Sequence, residues 1–180
     1  MSKAIDELKH DHDAILSALN ILDAMVGRLG SAGAPSAEDL RSFIGFLKEF
    51  ADKCHHGKEE GILFPALTGA GMPKQGGPVA VMLSEHVEGR TLIQQMEKAV
   101  PGTVDAAAFT QAAQGYAALL RAHIAKENDV LFPMAERFLA SPELEKIHGK
   151  FNEHEETVIG HGRHEELHAM LKELRKKYLA

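Results

Sequence analysis

Two stretches of this chain hold residue types at spacings that suit metal chemistry. His55-His56-Gly57-Lys58-Glu59-Glu60 runs on to Leu63-Phe64-Pro65, and His123-Ile124-Ala125-Lys126-Glu127-Asn128 runs on to Leu131-Phe132-Pro133. The second repeats the first at His, Lys, Glu, Leu, Phe and Pro in one register. Each copy has a His four residues before a Glu. On a helix, residues i and i+4 lie on one face. Each copy therefore aims one imidazole and one carboxylate at the same place. Two such helices facing each other would offer two nitrogens and two carboxylates, a large part of a two-metal site.

Two further histidines extend the set. His12, after Asp11, and His86, after Glu85, fall on the apolar stripes of two other helical stretches. His12, His55, His86 and His123 would supply four nitrogens, one per helix, and Glu59 and Glu127 would bridge. Imidazole suits iron and zinc, and a bridging carboxylate holds two cations close while offsetting their charge. Taken singly, a His on an apolar face reads as a hydrogen-bonded core residue, and one His-x-x-x-Glu reads as a surface pair. Repetition in register is what favours metal. Such a set leaves coordination positions open for dioxygen, a peroxide or nitric oxide.

The elements that must position these groups are helices. Apolar residues recur at helical spacing from about 3 to 29, from Ser36 through His55, from about 79 to 100 and from about 104 to 138. Ser36 and Ser141 read as helix caps, the latter followed by Pro142 at the first helical position. Pro65 and Pro133 should end or bend their helices, because proline cannot donate to the ladder. No strand pattern is present. The expected fold is all-α: an up-down-up-down four-helix bundle over 1–140, with a helical extension over 141–180 packed on it in the same domain. That extension is expected to bend at Gly160-His161-Gly162.

Composition narrows the function classes. A chain of 180 residues, 44% apolar, fits one domain. A net charge of -6 argues against nucleic acid and against a basic membrane-surface helix. No apolar run approaches the roughly 18 residues of a membrane span, and no secretory h-region is visible. A single cysteine, Cys54, allows no internal disulfide. The expectation is a cytoplasmic protein, monomer or homodimer, with 11 histidines that favour metal.

The sequence resembles the hemerythrin-like family, also called the HHE cation-binding domain. The resemblance rests on Asp11-His12, on His55-His56-x-x-Glu59-Glu60-x-x-Leu63-Phe64-Pro65, on Glu85-His86, and on His123-x-x-x-Glu127 with Leu131-Phe132-Pro133. It implies a four-helix bundle with two iron ions, oxo- or hydroxo-bridged; manganese or zinc would suit similar donors. Members bind dioxygen, sense iron, oxygen or redox state, or process nitric oxide and peroxide. Oxygen-carrying hemerythrins have a second third-helix His four residues after the first, where this chain has Arg90. Their His-to-Asp spacing in the fourth helix is also longer.

The missing nitrogen is expected from the C-terminal segment, which holds His148, His154, His161, His164 and His168. His161 is the preferred ligand, because its flanking glycines permit close approach. His56 and Glu60 have Ile124 and Asn128 as counterparts, so they are expected to support the ligands or lie on the surface. Lys58 and Lys126 are expected as solvated charges, Cys54 as a small core residue, and Leu63, Phe64, Leu131 and Phe132 as core that keeps the pocket dry. Two other readings stand beside the di-iron one. One is a regulatory or interaction module merely stabilised by metal; the other is an oxidase or iron-storage bundle, disfavoured because that class uses Glu-x-x-His.

Overall fold

The computed structural model describes residues 2–179. Among these residues there are helices and no strand. Six helices form: α1 (Lys3–Arg28), α2 (37–69), α3 (Pro78–Lys98), α4 (106–138), α5 (141–159) and α6 (Arg163–Tyr178). The bend expected at Gly160-His161-Gly162 is a complete break. Gly160 (φ 107°) and Gly162 (φ 74°) take up positive φ, which glycine adopts without steric cost.

Capping side chains set the helix starts. Ser2 Oγ accepts the Ile5 amide at 3.4 Å, Ser36 Oγ the Asp39 amide at 3.1 Å and Asp105 Oδ1 the Ala108 amide at 3.0 Å. Each satisfies a donor that the first turn leaves open. α3 begins on Pro78, where a missing N–H matters little. The cap expected at Ser141 falls one residue earlier, at Ala140.

Neither Pro65 nor Pro133 ends its helix. A wide turn precedes each: the Phe64 amide bonds to the Glu59 carbonyl and the Phe132 amide to the Glu127 carbonyl, an i→i−5 pattern. Widening the turn relieves the clash between the proline ring and the preceding turn, and the helices continue to Gly69 and Phe138. Of these two helices only α2 has a further wide stretch, Leu47–His56; α5 ends in one, Glu155–Ile159.

The interior is layered. One apolar cluster includes Ile15, Leu19, Leu22, Phe43, Leu47, Ile93, Phe109 and Tyr116; another includes Ile5, Leu8, Leu63, Phe64, Met82, Leu131 and Phe132. At roughly 1.5–3 kcal/mol per buried large apolar side chain, these clusters supply the cohesion. α5 adds Leu144, Ile147 and Phe151 to the second, and α6 adds Leu167, Leu171, Leu174 and Tyr178 to the first. Along α1, α2 and α4 a short polar stretch separates the residues of one cluster from those of the other. The buried polar and charged residues are Asp11, His12, His55, His56, Lys58, Glu59, His86, His123 and Glu127. Among the described residues, no helix is long and apolar enough to cross a membrane.

Candidate metal centre

Two groups of four buried donors form in this polar layer: His12, His55, Glu59 and Glu127, and His56, Glu59, His86 and His123. Glu59 belongs to both. Within each group the donor atoms lie within 4.8 Å of one another. His12 Nε2 is 3.1 Å from Glu127 Oε2, and His55 Nε2 is 3.6 Å from Glu59 Oε1. His86 Nε2 is 3.1 Å from His123 Nε2 and 3.5 Å from Glu59 Oε2, and His123 Nε2 is 3.3 Å from Glu127 Oε2. Metal–nitrogen bonds of about 2.0–2.1 Å meeting near a right angle put donors about 3 Å apart, so this spacing suits a shared cation.

The other ring nitrogens are held from outside. His55 Nδ1 donates to Asp11 at 3.2 Å, His86 Nδ1 to Glu60 at 2.8 Å and His123 Nδ1 to Glu85 at 2.9 Å; His12 Nδ1 meets Asn128 Oδ1 at 2.9 Å. His56 Nδ1 faces Asp52 Oδ1 at 3.5 Å without a well-formed hydrogen bond. Metal-binding histidines are commonly oriented in this way, with the free nitrogen turned inward. The rings are also packed: His12 stacks on Phe132, His86 on Phe64, and His56 on His86 with centroids 3.8 Å apart.

The electrostatics favour a cation. His55 Nε2, His56 Nε2, both Glu59 oxygens and Glu127 Oε1 are buried with no hydrogen-bond partner in the protein. Burying such atoms unpaired is costly, and a metal ion would satisfy them together. Burial holds His55 down at about 4, and holds His56 and His86 below the usual histidine range. The lowering favours the neutral ring, the form that ligates. His123 is raised, because its bonds to Glu127 and Glu85 outweigh burial. Without a cation, burial and the nearby Glu127 charge push Glu59 up. Burial also opposes the charge on Glu127, but bonds to His12 and His123 overcome it and hold this carboxyl low.

His12, His55, Glu59, His86, His123 and Glu127 are thus brought together. His161 is not: its side chain is 92% exposed and contacts Glu156 at 3.2 Å. The flanking glycines turn the chain at the surface instead of lowering it toward the bundle. No other C-terminal histidine joins either donor group. The fifth histidine in the donor groups is instead His56. In an ideal α-helix His56 would point about 100° away from His55. The wide geometry of Leu47–His56 reduces that angle, so both rings can reach the pocket. The only hint in the sequence was the adjacent pair His55-His56.

Lys58 also departs from expectation. It is wholly buried, with Nζ 2.8 Å from Glu7, 2.8 Å from Asp11 and 2.9 Å from Glu155. These carboxylates hold the lysine protonated against the cost of burial. Lys126 is 43% exposed and pairs with Glu85. Cys54 is a buried thiol, as expected, pushed up to about 12 by burial.

The family model of the hemerythrin HHE cation binding domain matches residues 3–135. Uncharacterized proteins of Mycobacterium bovis and Mycobacterium tuberculosis are each 26% identical over 165 residues, which covers 87% of this chain and 63% of theirs. The chain thus spans less than two-thirds of the length of these curated relatives. No solved structure matches it. The family match covers both His-x-x-x-Glu copies and all five inward-facing histidines, and the chain belongs to the hemerythrin HHE cation-binding domain family.

Proposed function

We propose that this protein is a non-haem di-iron protein that binds dioxygen or a reactive oxygen or nitrogen species. It would act as a sensor or binding protein, or with weak redox activity toward peroxide or nitric oxide. One observation carries this reading: five imidazole nitrogens and two carboxylates converge in two donor groups that share Glu59. His12 and His55 would hold one ion, His56, His86 and His123 the other, with Glu59 and Glu127 between them. An all-nitrogen and oxygen donor set without thiolate suits iron. Bound iron would supply one-electron redox change and an open position for a small ligand. The His12–His55 half would be held by one histidine fewer. The buried rings of Phe64 and Phe132 stack on His86 and His12.

The four long helices are read as an up-down-up-down bundle. Along α1 the apolar cluster of Ile5 precedes that of Ile15, whereas along α2 the order is reversed; α3 and α4 repeat the alternation. The helices α5 and α6 are read as an extension of the same domain, since they add to both clusters. A small-molecule partner, a cytoplasmic location, no membrane or nucleic-acid role, and a monomer or homodimer complete the proposal, on charge and composition.

Metal analysis and an optical spectrum of protein purified in air test it. About two irons per chain, with near-ultraviolet absorption that bleaches on reduction, is the expected result. Reoxidation by oxygen or by peroxide then separates binding from enzymatic use. Zinc alone with a featureless spectrum, unchanged after anaerobic iron loading, would overturn it in favour of a metal-stabilised interaction module.

A further inference from the structure

The helix α5 lies beyond the stretch matched by the family model, yet it reaches the polar layer. The His154 ring lies directly over Gly57. A Cβ placed there would come 2.8 Å from His154 Nε2 and 2.9 Å from His154 Cε1, closer than such atoms pack. With glycine in place, His154 Nε2 donates to the Lys53 carbonyl at 3.0 Å. The next residue, Glu155, then turns inward. Its Oε1 accepts from Lys58 Nζ at 2.9 Å and from the Cys54 thiol at 3.8 Å. Phe151, one turn earlier, places its ring 5.7 Å from the same ammonium.

A short chain of contacts joins this point to a metal donor. Glu155 Oε1 holds Lys58 Nζ, Lys58 Nζ holds Asp11 Oδ2 at 2.8 Å, and Asp11 Oδ2 holds His55 Nδ1 at 3.2 Å. The lysine is wholly buried, so its charge is poorly screened and falls on three carboxylates. Each share taken by Glu155 is a share not taken by Asp11. Asp11 in turn fixes the ring of His55 and its strength as a donor.

We propose that Glu155 is a positioning residue for the metal centre: through Lys58 and Asp11, the C-terminal segment fixes His55 and the charge around the His12–His55 half. This rests on the reading of the polar layer as a two-ion site. The other half differs in burial: the matching lysine, Lys126, which holds Glu85 and through it His123, is 43% exposed, and the cation at Asp52 and Glu60 is Arg90, which is partly exposed and bonds both at 2.8 and 2.5 Å. The C-terminal segment therefore acts on one ion of the pair and not on the other.

The test uses the full-length iron-loaded protein, with Glu155→Gln to remove the charge while keeping an acceptor, and Glu155→Asp to restore it. Iron release to a competing chelator is followed by absorbance, together with thermal unfolding of the metal-free chains. In Glu155→Gln, one of two release phases should quicken about tenfold, the scale of effect for an outer partner of a metal-bound histidine. The other phase should hold, and Glu155→Asp should recover much of the difference. Equal release in Glu155→Gln and the parent protein would overturn the proposal. So would equal acceleration of both phases in step with lost thermal stability, the mark of a merely structural role. If the parent protein retains no iron at all, the two-ion reading itself falls, an outcome distinct from a parent that loads iron and a variant that behaves like it.

Discussion

The two His-x-x-x-Glu copies occupy equivalent places in the fold and build unequal halves of one centre. In each, the residue before the lone histidine reaches the neighbouring helix: Asp11 holds His55, and Glu85 holds His123. The lysine of each copy clamps that same acid, Lys58 on Asp11 and Lys126 on Glu85. The residue after each Glu holds a lone histidine, Glu60 for His86 and Asn128 for His12. The phenylalanine of each copy stacks on that histidine. Every repeated position thus has a repeated task. The halves differ where the copies differ: His56 stands opposite Ile124, Glu60 opposite Asn128, and only Lys58 is sealed by a further helix. A near-symmetric frame positions the candidate donors, and a few unmatched residues make one donor group richer in nitrogen.

The largest expected effect removes what both halves share. Glu59→Ala should abolish stable binding of both ions, read as metal per chain, because the substitution leaves both donor groups one carboxylate short. His56→Ile makes the first copy like the second. It should lose the ion of the His86–His123 half and keep the other, so metal content near half that of the parent would support the asymmetry. Full retention would return His56 to a supporting role.

The lysines give a sharper contrast. Lys58→Met leaves the buried Asp11 and the partly exposed Glu7 and Glu155 without their cation and should cost about 3 kcal/mol in denaturant unfolding. Lys126→Met, where the lysine itself is 43% exposed, should cost less than about 1 kcal/mol. Similar costs would mean that the two copies are energetically alike.

Acid should weaken the metal-free fold on the histidine side. His55 is held at about 4 against an ordinary 6.5. Below 6.5 the unfolded chain takes up a proton that the folded chain refuses until about 4, so stability falls as pH drops through that window. For His55 alone the loss is about 3 kcal/mol. His123 has the opposite sign, because its folded state holds the proton more tightly, so His123→Gln should steepen the decline in pH-resolved unfolding. The smallest effect is expected at His161: His161→Ala should leave metal content and spectrum unchanged, since its ring faces solvent.

Local periodicity and repetition determined much of this protein. Helical spacing marked the helices, the repeat in register singled out His55, Glu59, His123 and Glu127, and the apolar stripes of two other helices added His12 and His86. These are properties of neighbouring residues on one helix, where i and i+4 necessarily share a face. Contacts between distant segments could not be read in that way. The reach of His56 depends on a wide helical stretch whose turn geometry is not encoded by residue spacing. The burial of Lys58 depends on Glu155, 97 residues away, arriving over a glycine. The exposure of His161 depends on two left-handed glycines that set where the last helix starts. In each case the amino acid permitted several environments, and only the packing of one helix against another selected among them.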